Sequence, residues 1–167
     1  MKYDPRAARN VALMILAPTV VVGSFFAFNL RINLTDSHVP VGIWKASSPV
    51  SVGVGDIIKY DRDEFFSAFP QVREERMIFG TSAIIKRVAA MPGALVELSG
   101  DIVIIGGRLY EGARILNDSW RKIEYPLRIP EGMVWLMADT ERAYDSRYHG
   151  PVPCGMIQEK LKPVLIW

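Results

Sequence analysis

Hydrophobic and polar positions divide this chain at Phe28. From Val11 to Phe28, eighteen residues carry no charge, and Thr19 and Ser24 are the only polar side chains. A helix of that length covers roughly 27 Å, near the hydrocarbon thickness of a bilayer. Pro18 and Gly23 weaken a helix in water but are tolerated in a membrane helix. The run exceeds the apolar core of a cleaved secretory signal, and Asn29 to Asn33 offers no small-x-small site after it. It also lacks the polar stripe of a helix packed on a soluble core. The pattern predicts an uncleaved transmembrane anchor over residues 11–28.

Beyond Phe28 the apolar runs shorten and turn residues separate them. Residues 29–48 read as a polar entry segment. Residues 50–60 read as a turn into a strand, and 61–70 as one or two helical turns stopped at Pro70. Residues 71–76 are charged and predict a surface loop. Phe65, Phe66 and Phe69 share a helical face, a pattern that suits a core better than a dip into lipid. Strands are expected at 82–89 and 95–99, then in a hairpin from Ile102 through Gly106-Gly107 to Tyr110. Residues 111–130 carry no period. Met133–Met137 predicts a buried strand, 138–150 a polar loop, and 157–167 a last strand. The fold class expected is mainly β, in antiparallel sheets, with one N-terminal transmembrane helix and a small β subdomain around residues 95–135.

Charge orients this arrangement. Lys2, Arg6 and Arg9 precede the apolar run and only Arg31 closely follows it, so residues 1–10 are expected in the cytoplasm and 29–167 outside. The expected place is the cytoplasmic membrane, single-pass, with the bulk of the chain on the periplasmic or extracytoplasmic side. A formal net charge of +2 and no basic-aromatic stripe argue against a nucleic-acid partner. The single cysteine, Cys154, excludes an internal disulfide and a thiolate metal cage, and no His-x-x-x-His pair occurs. Neither a metal nor another cofactor is expected.

Two stretches carry candidate chemistry. Ser37 lies in the turn-rich segment Asn33 to Gly42, and Lys86 follows the apolar Ala83-Ile84-Ile85 and precedes Val88, Ala89 and Ala90. A serine hydroxyl needs a base to take its proton. His38 adjoins Ser37, and neighbouring side chains diverge. His149 with Asp139 or Asp145 could complete a Ser-His-Asp triad. Lysine is the other base, provided that burial lowers its amine from an ordinary value near 10.4. The competing reading of Lys86 is a side chain snorkelling from a sheet edge.

Four motifs occur in order: Thr35-x-Ser37-x-x-Pro40; Lys86-Arg87-Val88-x-x-x-Pro92-Gly93; Gly100-Asp101-x-Val103; and Asp145-Ser146-Arg147-Tyr148-x-Gly150-Pro151-Val152. Together they resemble the motif boxes of the type I signal peptidases and span nearly all the chain after the anchor. Asn33 to Gly42 is most similar to the TraF-type branch, the conjugative-transfer signal peptidases that mature pilin precursors. The resemblance implies Ser37 as nucleophile and Lys86 as general base. It implies an oxyanion hole from the Thr35 hydroxyl and the Ser37 backbone N–H, and active-site support from Asp145, Ser146 and Arg147. Departures are Ala143 where the family carries a serine that helps orient the lysine, Ala138 opening the last box, Ala94 after Pro92-Gly93, and His38 after the nucleophile.

The expectation is a membrane-anchored serine endopeptidase with a Ser-Lys dyad. Its partners would be the lipid bilayer and precursor proteins with membrane-inserted leaders, pilin-type clients among them. The anchor also constrains geometry, because nine residue steps from Phe28 keep Ser37 within about 32 Å of the anchor's end. Two other readings are a self-cleaving regulator and an inactive assembly factor of a secretion or conjugation apparatus. The anchor and the lack of a DNA-binding segment weigh against the regulator, while Ala143 is the feature that favours the assembly factor.

Overall fold

The structure, a computed structural model, describes residues 5–34, 39–70, 72 and 83–167. Helix α1 (Pro5–Ala27) contains Pro18 and leads through Asn29, in a left-handed turn, into strand β1 (Leu30–Asn33). Among the described residues no helix is long and apolar enough to cross a membrane. Side chains at 5, 7, 8, 11 and 12 of α1 lie outside that description.

A seven-stranded antiparallel sheet holds β1, β2 (Gly42–Ser47), β3 (Ile57–Asp61), β4 (Ala83–Ala90), β9 (Met133–Met137), β10 (Val152–Pro153) and β11 (Ile157–Ile166). Its spatial order is β1-β2-β11-β3-β4-β9-β10. The second sheet has four strands, β5 (Leu95–Ser99), β6 (Ile102–Ile105), β7 (Arg108–Arg114) and β8 (Leu127–Arg128), in the order β7-β6-β5-β8. Residues 95–128 are thus an insertion between β4 and β9, two strands that pair with each other. Gly93, at φ +84°, makes the turn from β4 into β5, and its N–H donates to Ile129 O at 2.8 Å to close the neck of the insertion.

Alternation along the central strands separates two apolar clusters. Ile58, Tyr60, Ile84, Val88 and the whole of Val134–Met137 face the larger one, together with Val96, Val103 and Ile105 from the second sheet. The opposite side carries a smaller cluster of Val39, Trp44, Ala46, Ile57 and Leu161, with Ile85 packed against it. Helix α2 (Arg62–Ala68) is capped by Asp61, whose carboxylate accepts the Asp63 and Glu64 N–H groups. Phe65 is fully buried, and Phe66 and Phe69 pack against the same core.

Three stretches differ from the reading of the pattern. The entry segment 29–48 holds two paired strands, in which Trp44 and Ala46 alternate into the smaller cluster while Leu30 and Ile32 lie on the opposite face, although polar residues and Pro40 interrupt them. The stretch 111–130 contains the end of β7, a 3-10 turn at Asp118–Trp120 and β8. The polar loop 138–150 contains helix α3 (Ser146–His149), and Ala143 to Gly150 are all buried. Of the charged loop at 71–76, only Val72 is described, and it is buried.

Candidate active site

Lys86 sits in the middle of β4, opposite Ile58 of β3, and its side chain turns into the larger core. It is 1% exposed, and Nζ has no hydrogen-bond partner among the described residues. Burial draws its amine down to about 8; nearby Asp145 partly opposes that shift and Arg147 adds to it. At pH 7 an amine at that value is neutral in roughly one molecule in ten, against roughly one in three thousand for an ordinary lysine. The side chain is not a snorkelling surface lysine. It is an amine held out of water in the core.

Ser37 and Thr35 lie outside the described residues, so the nucleophile and the oxyanion hole expected from the sequence do too. The frame around them is described. β1 and β2 form a hairpin in which Asn33 stands opposite Gly42. Asn33 Nδ2 donates to Val39 O at 3.0 Å and to Pro40 O at 3.1 Å, which cinches the connecting loop at its base. Val39, two residues after Ser37, and Ile85, one residue before Lys86, belong to the same small apolar cluster.

Asp145, Ser146 and Arg147 come together at the start of α3, and all three are wholly buried. Asp145 caps the helix by accepting the Arg147 N–H at 3.1 Å, and it also accepts the Ala138 N–H at 3.0 Å. Its two oxygens meet Arg147 Nε and Nη2, each at 2.8 Å. Burial alone would raise the Asp145 carboxyl, but the Arg147 charge and bonds hold it below the usual carboxylate range. Arg147 spends its remaining donors on backbone carbonyls: Gly112 and Arg114 of β7, and Thr140 and Ala143 of the preceding loop. One guanidinium therefore ties the second sheet, the loop and α3 into a single wall. Gly112 sits at φ +71°, a backbone conformation that favours glycine. Ser146 acts elsewhere: its Oγ accepts the Leu136 N–H at 3.0 Å and pins α3 to β9.

The sequence reading missed a second pair. Arg87 and Asp139 form a two-point contact, Nε–Oδ1 at 2.7 Å and Nη2–Oδ2 at 2.5 Å, on the opposite face of β4 from Lys86. The signal was the β4–β9 register, which sets Arg87 opposite Met137, two residues before Asp139. A Ser-His-Asp triad is not assembled among the described residues. Asp139 and Asp145 are each engaged by an arginine, and His149 Nδ1 has no hydrogen-bond partner among the described residues. The His149 ring is buried among Phe65, Phe69 and Tyr144, with centroids 4.9, 5.4 and 5.6 Å away. No group of metal-ligating side chains occurs among the described residues.

The family model "Signal peptidase, peptidase S26" matches residues 9–166. The chain belongs to that family. Its curated relatives include a conjugal transfer protein TraF of Agrobacterium fabrum, 28% identical over 93% of this chain and 92% of that one. A plasmid transfer protein TraF of Escherichia coli is 29% identical with both chains covered completely. Among solved structures, a signal peptidase I from Enterococcus faecalis matches with a TM-score of 0.44 at 22% identity, covering 70% of this chain and all of that one. The TraF-type branch named from residues 33–42 is the one these curated relatives represent.

Proposed function

We propose that this protein is a membrane-anchored serine endopeptidase that removes leader peptides from exported precursors, pilin-type subunits of a conjugation apparatus among them. Ser37 is the nucleophile and Lys86 the general base. The observation that carries this reading is the buried Lys86 amine, without a hydrogen-bond partner among the described residues and drawn down to about 8 within a member of the signal peptidase family. Lys86 takes the Ser37 proton as Oγ attacks the scissile carbonyl carbon. The Thr35 hydroxyl and the Ser37 N–H receive the oxyanion, a contribution of about 3 kcal/mol per donor in comparable sites. The C–N bond then breaks, and the Lys86 ammonium returns its proton to the leaving amine. Water, or a substrate amine that closes a ring, attacks the acyl-enzyme with Lys86 again as base.

An extended client segment has a place to lie. β9 pairs with β4 only from Arg87 onward, and Ile84–Lys86 meet β3 along their other edge. Small residues at the client's −1 and −3 positions would suit the approach to this edge.

The membrane assignment rests on apolar surface. Leu13, Met14, Ile15, Leu16, Val20, Val21, Val22 and Phe26 of α1 are all more than half exposed. Thr19 and Ser24 hydroxyls are satisfied by the carbonyls of Ile15 and Val20, each at 2.8 Å, so the helix presents no unmet side-chain donor there. Exposed Ile32 and Leu34 continue this surface beyond the helix, as do Leu165 and Trp167, Leu165 standing opposite Ile43 of the adjoining hairpin strand. A lipid bilayer covers such a surface, with the β domain on its extracytoplasmic side.

The test is cleavage of a membrane-tethered precursor in vesicles. Ser37→Ala and Lys86→Ala should each lower the rate at least about a thousandfold. Near-full cleavage by Lys86→Ala would overturn the dyad. Mass spectrometry of the client with and without the protein would give the cut site and show whether the product is linear or circular. Full conjugation with Ser37→Ala would instead favour the assembly-factor reading.

A further inference from the structure

Arg87 follows Lys86 on β4 but belongs to the other face of the sheet, where it borders a cavity of about 320 Å³. Arg87 stands opposite Ile57 and Lys86 opposite Ile58, so one residue of register separates the two faces. Trp44 of β2, Ile57 of β3 and Leu161 of β11 supply apolar wall, and Pro40 and Lys162 also border the cavity. It lies close to the proposed nucleophile and base along the chain. Arg87 adjoins Lys86, and Pro40 is three residue steps from Ser37, at most about 11 Å even when fully extended.

Two features of this cavity point to a ligand. Trp44 is 3% exposed, and its Nε1–H has no hydrogen-bond partner among the described residues. A buried donor of this kind costs stability until an acceptor meets it. The charges at the rim are also unbalanced. Asp56 is held by Lys160 at 2.6 Å and Arg87 by Asp139, whereas Lys162 is exposed and forms no ion pair among the described residues. The path of a client leads to the same place. With the leader along Ile84–Lys86, β9 occupies the β4 edge from Arg87 onward, so the residues past the cut must leave that edge. The face that carries Lys86 is closed by the larger core, while the other face carries Arg87 and the cavity.

We propose that this cavity is a specificity site for the first three residues past the cut, and that it takes a glutamate-like side chain. The aliphatic stem packs on Ile57 and Leu161, and the carboxylate accepts the Trp44 N–H and pairs with Lys162. Such a side chain supplies both the acceptor that the indole lacks and the negative charge that Lys162 lacks. Leucine fills only the apolar part, and lysine adds a like charge. This inference rests on the Ser-Lys reading above and on the leader's path along β4. It adds a determinant on the far side of the cut from the leader.

The experiment uses the full chain in vesicles and tethered precursors that carry Glu, Gln, Leu or Lys at positions +1, +2 and +3 in turn. At one of those positions kcat/KM should be at least about tenfold higher with Glu than with Lys, the worth of one charge-assisted hydrogen bond. Lys162→Glu, a change at an exposed position, should invert that preference. Trp44→Phe should reduce the advantage of Glu and Gln over Leu. Equal rates for all four residues at every position overturn the proposal, and so does a Glu preference that both variants leave intact. A rate that follows the anionic lipid content of the vesicles and ignores these client residues assigns the cavity to lipid and overturns it as well. A second readout needs no cleavage. In Ser37→Ala, a photoreactive residue beside the preferred position should crosslink to β2 or β11, and crosslinks confined to other elements overturn the site. If Lys86→Ala cleaves normally, it is the dyad that has failed, while the residue preference and the crosslink still report on the cavity.

Discussion

Two Asp–Arg pairs brace the region around β4 and β9, and they differ in access to water. Asp145–Arg147 is wholly enclosed, while Arg87 and Asp139 keep 29% and 35% of their side-chain surface exposed. Both are two-point contacts between a guanidinium and a carboxylate, so their chemistry is nearly the same. Their consequences are not. Around Arg147, backbone carbonyls from β7 and from the preceding loop replace the water that the guanidinium gave up. Around Arg87, solvent and the Gly55 carbonyl, at 3.2 Å, share that task. The enclosed pair therefore organises the wall beside Lys86, and the open pair decorates the other face of the same strand.

The sharpest way to break this contrast is Arg147→Met. It leaves Asp145 buried without its counter-charge, and such losses cost about 3 to 5 kcal/mol. Urea unfolding should show that loss, and Arg147→Lys should recover little of it, because an ammonium cannot supply the same fork of donors. A loss under 1 kcal/mol would make the two pairs equivalent.

Lys86 gives the opposite sign. Its amine titrates at about 8 in the fold against an ordinary value of 10.5, so the unfolded chain binds its proton more tightly. Wild-type stability should therefore rise with pH between about 8 and 10.5, and the penalty is complete below 8. That penalty is about 3 kcal/mol. Lys86→Met should raise stability by up to this amount at pH 7 while it abolishes cleavage. The gain should shrink as pH rises through the window. A pH-independent gain would mean that the folded amine titrates as it does in the unfolded chain, unlowered by burial.

Acid conditions separate His149 from Asp145. His149 titrates at about 4 in the fold and near 6.5 when unfolded, so the unfolded chain takes up the proton first and stability falls as pH drops from 6.5 toward 4. Asp145 is depressed, so its contribution persists above the ordinary carboxylate range and is lost only as pH falls through its lower folded value. Between pH 6.5 and 5 the histidine should account for about 2 kcal/mol. His149→Phe should flatten that part of the curve and leave the more acid part unchanged.

How much of this was legible beforehand depended on whether the information was local. Lys86 could be read because its apolar neighbours on β4 state its burial in a single strand. Helix α2 could be read because an Asp61 cap and the stop near Pro70 are local signals. The buried state of Ala143 to Gly150 could not. A polar loop looks solvated until β7 and β9 supply partners for its charges, and those partners lie up to 35 residues away. β1 and β2 were hidden for a related reason, since their alternation is interrupted by the loop that carries Ser37. Arg87–Asp139 required the β4–β9 register, which no local pattern specifies. His149 could be read only as a candidate base, because the aromatic nest of Phe65, Phe69 and Tyr144 around its ring comes from elements distant in sequence.

The smallest effect should come from the open pair. Arg87→Ala removes one partner of a bridge that water already reaches, and Asp139 can then hydrate where it stands. Pairs of this kind contribute about 0.2 to 1 kcal/mol, and salt screens them. The expected loss is therefore under about 1 kcal/mol at low ionic strength, and smaller still at high salt. The two-point geometry and the Gly55 contact place Arg87 near the upper end of that range. Unfolding of wild type and Arg87→Ala at two salt concentrations measures both quantities. A loss as large as that of Arg147→Met, insensitive to salt, would show that enclosure is not what distinguishes the pairs. The wall beside Lys86 would then have two structural arginines instead of one.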